Sequence, residues 1–175
     1  MLKLIPIAAS ALLLAACGGL SKQMEEPKDS DRSLVYGYVD MEDGPCPLDW
    51  FNMKQVLPKV EEPYWGFRTA DGAFYAEYIP LGSFQLWSFG GAKTFGNTFW
   101  TFKFPQQLPG LRIEKPGLYF VGSFRMKDEG NFFKSKYDID LADKPTEREV
   151  IEKILPYAKG TEWDDWLRRR LKELK

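Results

Sequence analysis

The sequence predicts a mainly β fold: an antiparallel β-sandwich with a C-terminal pair of α-helices packed on one sheet. Three observations predict it. Between Leu34 and Leu141 apolar residues recur with period two, in short runs separated by Gly, Pro, Asn and Asp turn signals. Aromatic residues make up 15% of the chain, enough rings to fill the space between two packed sheets. After Leu141 the apolar spacing changes to that of a helix.

The first strand is read where Leu34, Tyr36 and Tyr38 alternate with Val35, Gly37 and Val39. Strands at 64–69 and 74–79 flank Asp71-Gly72, whose tolerance of positive φ suits a tight hairpin turn. Pro80-Leu81-Gly82 then breaks the chain before a strand at 83–89, which Gly90-Gly91 ends. Further strands are expected at 98–104, 111–115, 118–126 and 132–141, with Pro116-Gly117 and Asp128-Glu129-Gly130-Asn131 as turns. Eight strands result, over a domain running from residue 34 to 141.

The run Thr69-Ala70-Asp71-Gly72-Ala73-Phe74, continuing through Ile79-Pro80-Leu81-Gly82-Ser83-Phe84-Gln85-Leu86 to Gly90-Gly91, resembles the prealbumin-like or carboxypeptidase-regulatory-like sandwich. That family repeats an Asp-Gly hairpin, a Pro-x-Gly-x-aromatic edge and a closing glycine. The resemblance spans about residues 34–91 and implies a two-sheet accessory module without catalytic residues, leaving function to be argued from a site.

Residues 142–175 read as two helices. Thr146-Glu147-Arg148-Glu149 has capping-box spacing, and Val150, Ile151, Ile154, Leu155 and Ala158 form an apolar stripe that Pro156 and Gly160 disturb. A second helix starts at Thr161 and carries Trp163, Trp166, Leu167, Leu171 and Leu174. Both stripes require an apolar partner surface.

At the other end, Met1-Leu2-Lys3 precedes an apolar run from Leu4 to Ala16, the charged and hydrophobic regions of a secretory signal. Thirteen helical residues reach only about 20 Å, short of a ~30 Å hydrocarbon core. The run closes on Leu14-Ala15-Ala16-Cys17, which resembles the lipobox of bacterial lipoproteins. The resemblance implies a signal peptide at 1–16, cleavage between Ala16 and Cys17, and a diacylglyceryl, N-acylated Cys17. At ~0.8 kcal/mol per buried CH₂, such a group anchors stably. Gly18 and Gly19, where aspartate retains such proteins at the inner membrane, imply the outer membrane with the domain facing the periplasm. Residues 17–33, polar and of mixed charge, read as a lipidated tether. No cofactor is expected beyond the covalent lipid.

Removing residues 1–16 takes one charge, Lys3, and leaves 23 basic against 25 acidic side chains, which gives no footing for nucleic acid. The chain has no histidine, so Ser-His-Asp and Cys-His arrangements and His-ligated metals are excluded together. With Cys17 acylated, Cys46 has no intramolecular partner and reads as an inert thiol outside the packed core, pairing between chains being the alternative. Carboxylate chemistry or calcium binding has candidates in Asp40, Glu42 and Asp43, in Asp71 and Glu77, and in Asp138, Asp140 and Asp143; beside turns such groups are usually solvated. Arg168-Arg169-Arg170, with Lys172 and Lys175, reads as the cationic end of a helix rather than a site for anionic lipid.

If Phe84 and Leu86 face the core, Gln85 and Trp87 face out; with Trp100, Phe102 and Phe104 inward, Phe99 is outward. Trp87, Phe99 and Tyr75 are therefore candidates for stacking on sugar rings. The competing expectation is that the C-terminal helices cover this face, with Trp163 and Trp166 against it. The functional expectation is a lipid-anchored envelope protein presenting a non-catalytic β-sandwich as an interaction or scaffold module, with an envelope protein as partner. The alternatives are a carbohydrate-binding module for peptidoglycan or polysaccharide and, third, a carboxylate-based hydrolase.

Overall fold

The computed structural model describes residues 22–27, 29–92, 98–106, 108, 110–130 and 136–174. The segment expected to be a signal peptide, with Ala16 and Cys17, lies outside them. Among the described residues the chain forms nine strands and two helices: β1 (Ser33–Asp40), β2 (Trp50–Leu57), β3 (Tyr64–Ala70), β4 (Ala73–Ile79), β5 (Gly82–Ala92), β6 (Phe99–Lys103), β7 (Leu111–Ile113), β8 (Leu118–Asp128), β9 (Tyr137–Ala142), α1 (Glu147–Ala158) and α2 (Glu162–Glu173).

The strands form one curled, mixed sheet in the order β6-β5-β2-β3-β4-β1-β8-β9, with β7 also on β5. This corrects the expected antiparallel sandwich in two respects. First, β1 pairs in parallel with β8, from Leu34 opposite Leu118 to Asp40 opposite Arg125. Second, β3 belongs to both walls. Its residues Tyr64 to Phe67 pair with β2, and Arg68 to Ala70 pair with β4, so one strand carries the sheet round the bend. A single strand that changes partner midway closes a core without separating two sheets.

That core lies inside the curl. Val35, Phe51, Met53, Phe67, Phe74, Phe84, Phe89, Phe104, Phe124 and Met126 meet there, with Phe51 stacked on Phe74 at 3.6 Å between ring centroids. The hairpin between β3 and β4 turns at Asp71 and Gly72, with φ of 50° and 82°, as the dipeptide predicts. Gly90 and Gly91 do not end β5, which runs on to Ala92. They are glycine because a Cβ at Gly90 would strike the Trp100 carbonyl and one at Gly91 the Pro47 carbonyl. Strand β2 has no counterpart in the sequence reading, because Gln55 occupies an inward position. Its amide is satisfied there by the Pro58 carbonyl (3.2 Å) and the Trp65 indole N–H (3.0 Å).

Both helices pack on the outer face of β1 and β4. Leu34 and Tyr36 of β1 and Ala73 and Tyr75 of β4 form a second apolar cluster with Val150, Ile151, Ile154, Ala158, Trp163 and Leu167. Helix α1 starts with the expected capping box: the Thr146 hydroxyl accepts from Glu149 N–H, and Glu149 Oε2 accepts from Thr146 N–H at 2.6 Å. Trp163 is 2% exposed and Trp166 only half-buried, so Trp163 is the anchor of α2.

The segment read as a tether is docked in part. Met24 is 2% exposed within the helix cluster, and its N–H donates to the Tyr157 carbonyl at 2.8 Å. The Tyr75 hydroxyl donates to the Lys22 carbonyl, and Glu26 accepts from the N–H of Glu162 at the start of α2 (3.2 Å). The packed unit thus includes residues 22–27, before the expected boundary at 34.

Candidate functional site

Among the described residues, one wall of the curled sheet is covered and the other is open. Strict alternation in β2 sends Phe51, Met53 and Gln55 inward and leaves Trp50, Asn52 and Lys54 outward. Their register with β5 places Trp50 opposite Gly90 and Lys54 opposite Gln85, while β3 sets Tyr64 opposite Lys54. On β6, Phe99 lies opposite Ala92, Thr101 opposite Gly90 and Lys103 opposite Ser88. The pairing of β2 with β5 shifts between Asn52 and Met53, so Trp87 has no direct partner and faces out at a bulge.

The inward and outward assignments for β5 and β6 therefore hold, but the expectation that the helices cover this face does not. They cover β1 and β4 instead, whose outward residues Leu34, Tyr36, Ala73 and Tyr75 are apolar or aromatic, whereas the outward residues of β2, β5 and β6 include Asn52, Lys54, Gln85, Thr101 and Lys103. This splits the three ring candidates. Tyr75 is fully buried beneath the helices, stacked on Tyr157 at 5.9 Å, and burial pushes its hydroxyl far above the usual range. Trp87 is half-buried and Phe99 78% exposed, both on the open wall.

Four rings line that wall about β5: Phe99 beside Ala92, Trp50 beside Gly90, Trp87, and Tyr64 of β3 beside Lys54, level with Gln85. From Ala92 to Gln85 the row extends about 23 Å at ~3.3 Å per residue. Gly90 lets Trp50 lie close, since a Cβ there would come 2.7 Å from its ring. Trp87 has Lys54 Nζ 4.6 Å and Lys103 Nζ 5.4 Å from its ring centroid, and Tyr64 5.7 Å away at an interplanar angle of 46°. Trp50 and Lys54 escape the sequence reading because β2 does, while Tyr64 and Lys103, on strands that are predicted, join the wall only through pairings the period does not show. Read with period two, Trp50-Phe51-Asn52-Met53-Lys54 would have placed two of them.

A second concavity, a cleft of about 260 Å³, lies where the N-terminal segment crosses β3 and β4, lined by Glu25, Glu26, Arg32, Trp65, Glu77 and Tyr78. The buried Arg68 bridges two of these residues, Glu77 at 2.5 Å and Glu25 at 3.2 Å, while Glu77 also accepts from Glu25 N–H at 2.9 Å. The side chain of Glu77 is 2% exposed. Its partner is a structural arginine, and the arrangement clasps the segment to the domain.

Of the other carboxylates, Asp140 and Asp143 share a surface cavity with Arg125, Lys127 and Lys144. Asp71 sits at a hairpin tip, at the far end of β4 from Glu77. Asp40 pairs with Arg125 at 3.3 Å, Asp140 with Lys127 at 2.5 Å, and Asp138 accepts from Ile139 N–H. Among the described residues no group of three or more acidic or cysteine side chains is placed to hold a metal. The arginine run is bound within the domain: Arg168 to Asp164, Arg170 to Glu147 at 2.9 Å, and Arg169 over the Trp166 ring. Cys46 is 6% exposed rather than outside the core, and its thiol is pushed up by burial and then by Asp49.

Among the described residues no helix is long and apolar enough to cross a membrane. Compared with protein-family models, curated proteins and solved structures, the chain matches none.

Proposed function

We propose that this chain is a lipid-anchored protein of the bacterial cell envelope, held through Cys17, and that its domain is a non-catalytic binding module whose working surface is the open wall of β2, β5 and β6. The observation that carries the binding surface is the asymmetry of the two walls. The helices and the N-terminal segment seal β1 and β4, while among the described residues nothing covers the four rings on the opposite wall. Several rings gathered on one uncovered face support the reading of a recognition surface.

The docked N-terminal segment adds a geometric consequence. If lipid is carried on Cys17, five Cα steps separate it from Lys22, whose carbonyl is held by Tyr75. At ~3.6 Å per step the domain stands no more than about 18 Å from the headgroups. The outer membrane, with the domain facing the periplasm, is the proposed location. The protein is then a closely seated module rather than one on a long leash, suited to a fixed partner in the envelope.

Two experiments test the reading. Cys17→Ser should move the protein from washed membranes to the soluble fraction and remove acyl mass from its N-terminus; retention of both would overturn the anchor. Affinity purification from detergent-solubilised envelopes should recover material with the parent and with Arg169→Glu, and lose it with Trp87→Ala combined with Lys103→Glu. Equal recovery with all three would overturn the open wall as the surface.

A further inference from the structure

We propose that the open wall binds an acidic polysaccharide, sugar rings bearing carboxylate or phosphate. This rests on the reading of that wall as the binding surface and goes on to name its occupant. Three features of the wall agree. The first is its charge. Strands β2, β3, β5, β6 and β7 contain no aspartate or glutamate, on a chain whose acidic residues outnumber its basic ones. Outside the covered face their outward cations are Lys54, Lys103 and Arg112, Arg68 of β3 being buried against Glu77 and Glu25. Arg112 is paired with Glu114 at 3.0 Å, whereas Lys54 and Lys103 make no ion pair among the described residues and instead converge on one ring, Trp87, at 4.6 and 5.4 Å. Two ammonium groups over one ring, neither paired with a carboxylate among the described residues, offer contacts for an external anion.

The second feature is shape. Rings carried by β6, β2, β5 and β3 on one outer face of the sheet suit the apolar faces of successive sugars in an extended chain. The third is the polar filling between the rings. Asn52, Gln85 and Thr101 project from the same wall and provide amide and hydroxyl partners for sugar hydroxyls.

The same features disfavour other occupants. Protein docking favours a contiguous apolar centre, and here every ring is flanked by a lysine, glutamine, threonine or asparagine. An anionic membrane surface gains about 1 kcal/mol per basic residue and calls for a cluster of them, against two unpaired lysines here. Single-stranded nucleic acid asks for a basic groove that tracks many phosphates.

The test uses the full-length, lipid-processed protein in detergent, with oligogalacturonate as the carboxylate probe, phosphomannan as the phosphate probe and cellohexaose as the neutral one. Binding is followed by calorimetry and by tryptophan fluorescence. At least one acidic glycan should bind ten-fold or more tighter than cellohexaose and weaken as salt rises, and the tighter of the two identifies the anion. Lys54→Gln with Lys103→Gln should weaken acidic binding at least ten-fold and leave cellohexaose unchanged. Trp87→Ala should weaken both, and Arg169→Gln should change neither; circular dichroism establishes that each variant is folded.

Equal affinity for neutral and acidic glycans would overturn the proposal, as would acidic binding unaffected by the lysine and tryptophan variants. Tighter binding to phosphatidylglycerol vesicles or to a single-stranded oligonucleotide than to either acidic glycan would overturn it too. If no glycan binds but envelope material is still recovered in a Trp87-dependent manner, the glycan is wrong and the binding-module reading stands. If neither occurs, both fall.

Discussion

Replacing Trp163 by alanine tests how the helices are held. The indole is 2% exposed, shares its cluster with Met24, Tyr75, Ala158 and Leu167, and meets Trp166 edge-on at 5.6 Å. Deleting a fully buried tryptophan costs about 3 to 5 kcal/mol through lost transfer energy and the cavity left behind. Against that, Trp163 Nε1 is buried and has no acceptor among the described residues, so removing it returns roughly 1 kcal/mol of desolvation. The net expectation is about 3 kcal/mol. At ~2–4 °C per kcal/mol for a domain of this size, Trp163→Ala should lower Tm by about 6–12 °C. Trp163→Phe keeps a ring and drops the unpartnered N–H, and should cost under about 1.5 kcal/mol. Trp166→Ala, at a half-buried ring, should cost less than Trp163→Ala. Thermal denaturation followed by far-UV circular dichroism reads all three. A Trp163→Ala protein melting within about 2 °C of its parent, or a larger loss from Trp166→Ala, would refute the packing argument.

Three further outcomes follow from the same geometry. Arg68→Met leaves Glu77 buried without its cation and should cost about 3–5 kcal/mol in urea denaturation, while Glu77→Gln keeps an acceptor for Glu25 N–H and should cost less; equal losses would contradict the clasp. Thr146 N–H, the Thr146 hydroxyl and Lys144 hold the Glu149 carboxyl at about 2, below its ordinary 4.5. The folded pKa being the lower, its contribution is complete above pH ~4.5 and is lost as pH falls towards 2. Tm should therefore drop more steeply from pH 5 to 2 in the parent than in Glu149→Gln, and parallel profiles would count against the capping box. Cys46→Ser buries a hydroxyl in place of a 6% exposed thiol and should cost about 1–3 kcal/mol rather than nothing; the native thiol should alkylate slowly and form no dimer on non-reducing gels.

The local elements were the legible part of this chain. Capping-box spacing located α1, Asp71-Gly72 located the hairpin, and alternation assigned Phe84 and Leu86 inward and Trp87 and Phe99 outward. What escaped was long-range. Strand β2 was hidden because Gln55, a polar residue, holds an inward place through hydrogen bonds with Pro58 and Trp65 that only the folded chain supplies. The single curled sheet depends on β3 changing partner after Phe67, which leaves no mark on the period of that strand. The docking of residues 22–27 rests on Glu25 and Glu26 meeting Arg68 and the start of α2, and mixed charge in a short polar segment reads as solvated. The choice of wall covered by the helices was readable in principle. In β1 Leu34 and Tyr36 are apolar or aromatic on one face while Val35 and Val39 fill the other, so β1 is buried on both faces, whereas β6 exposes Thr101 and Lys103.

Site-specific photo-crosslinking in intact cells tests the central claim most directly. A photoreactive phenylalanine analogue at Thr101, on the open wall, is compared with one at Lys153, on the exposed side of α1. An adduct formed from position 101 and lost when Trp87→Ala is added, with none from position 153, is the predicted result. Adducts from position 153 with none from position 101 would place the working surface on the helices and contradict the account.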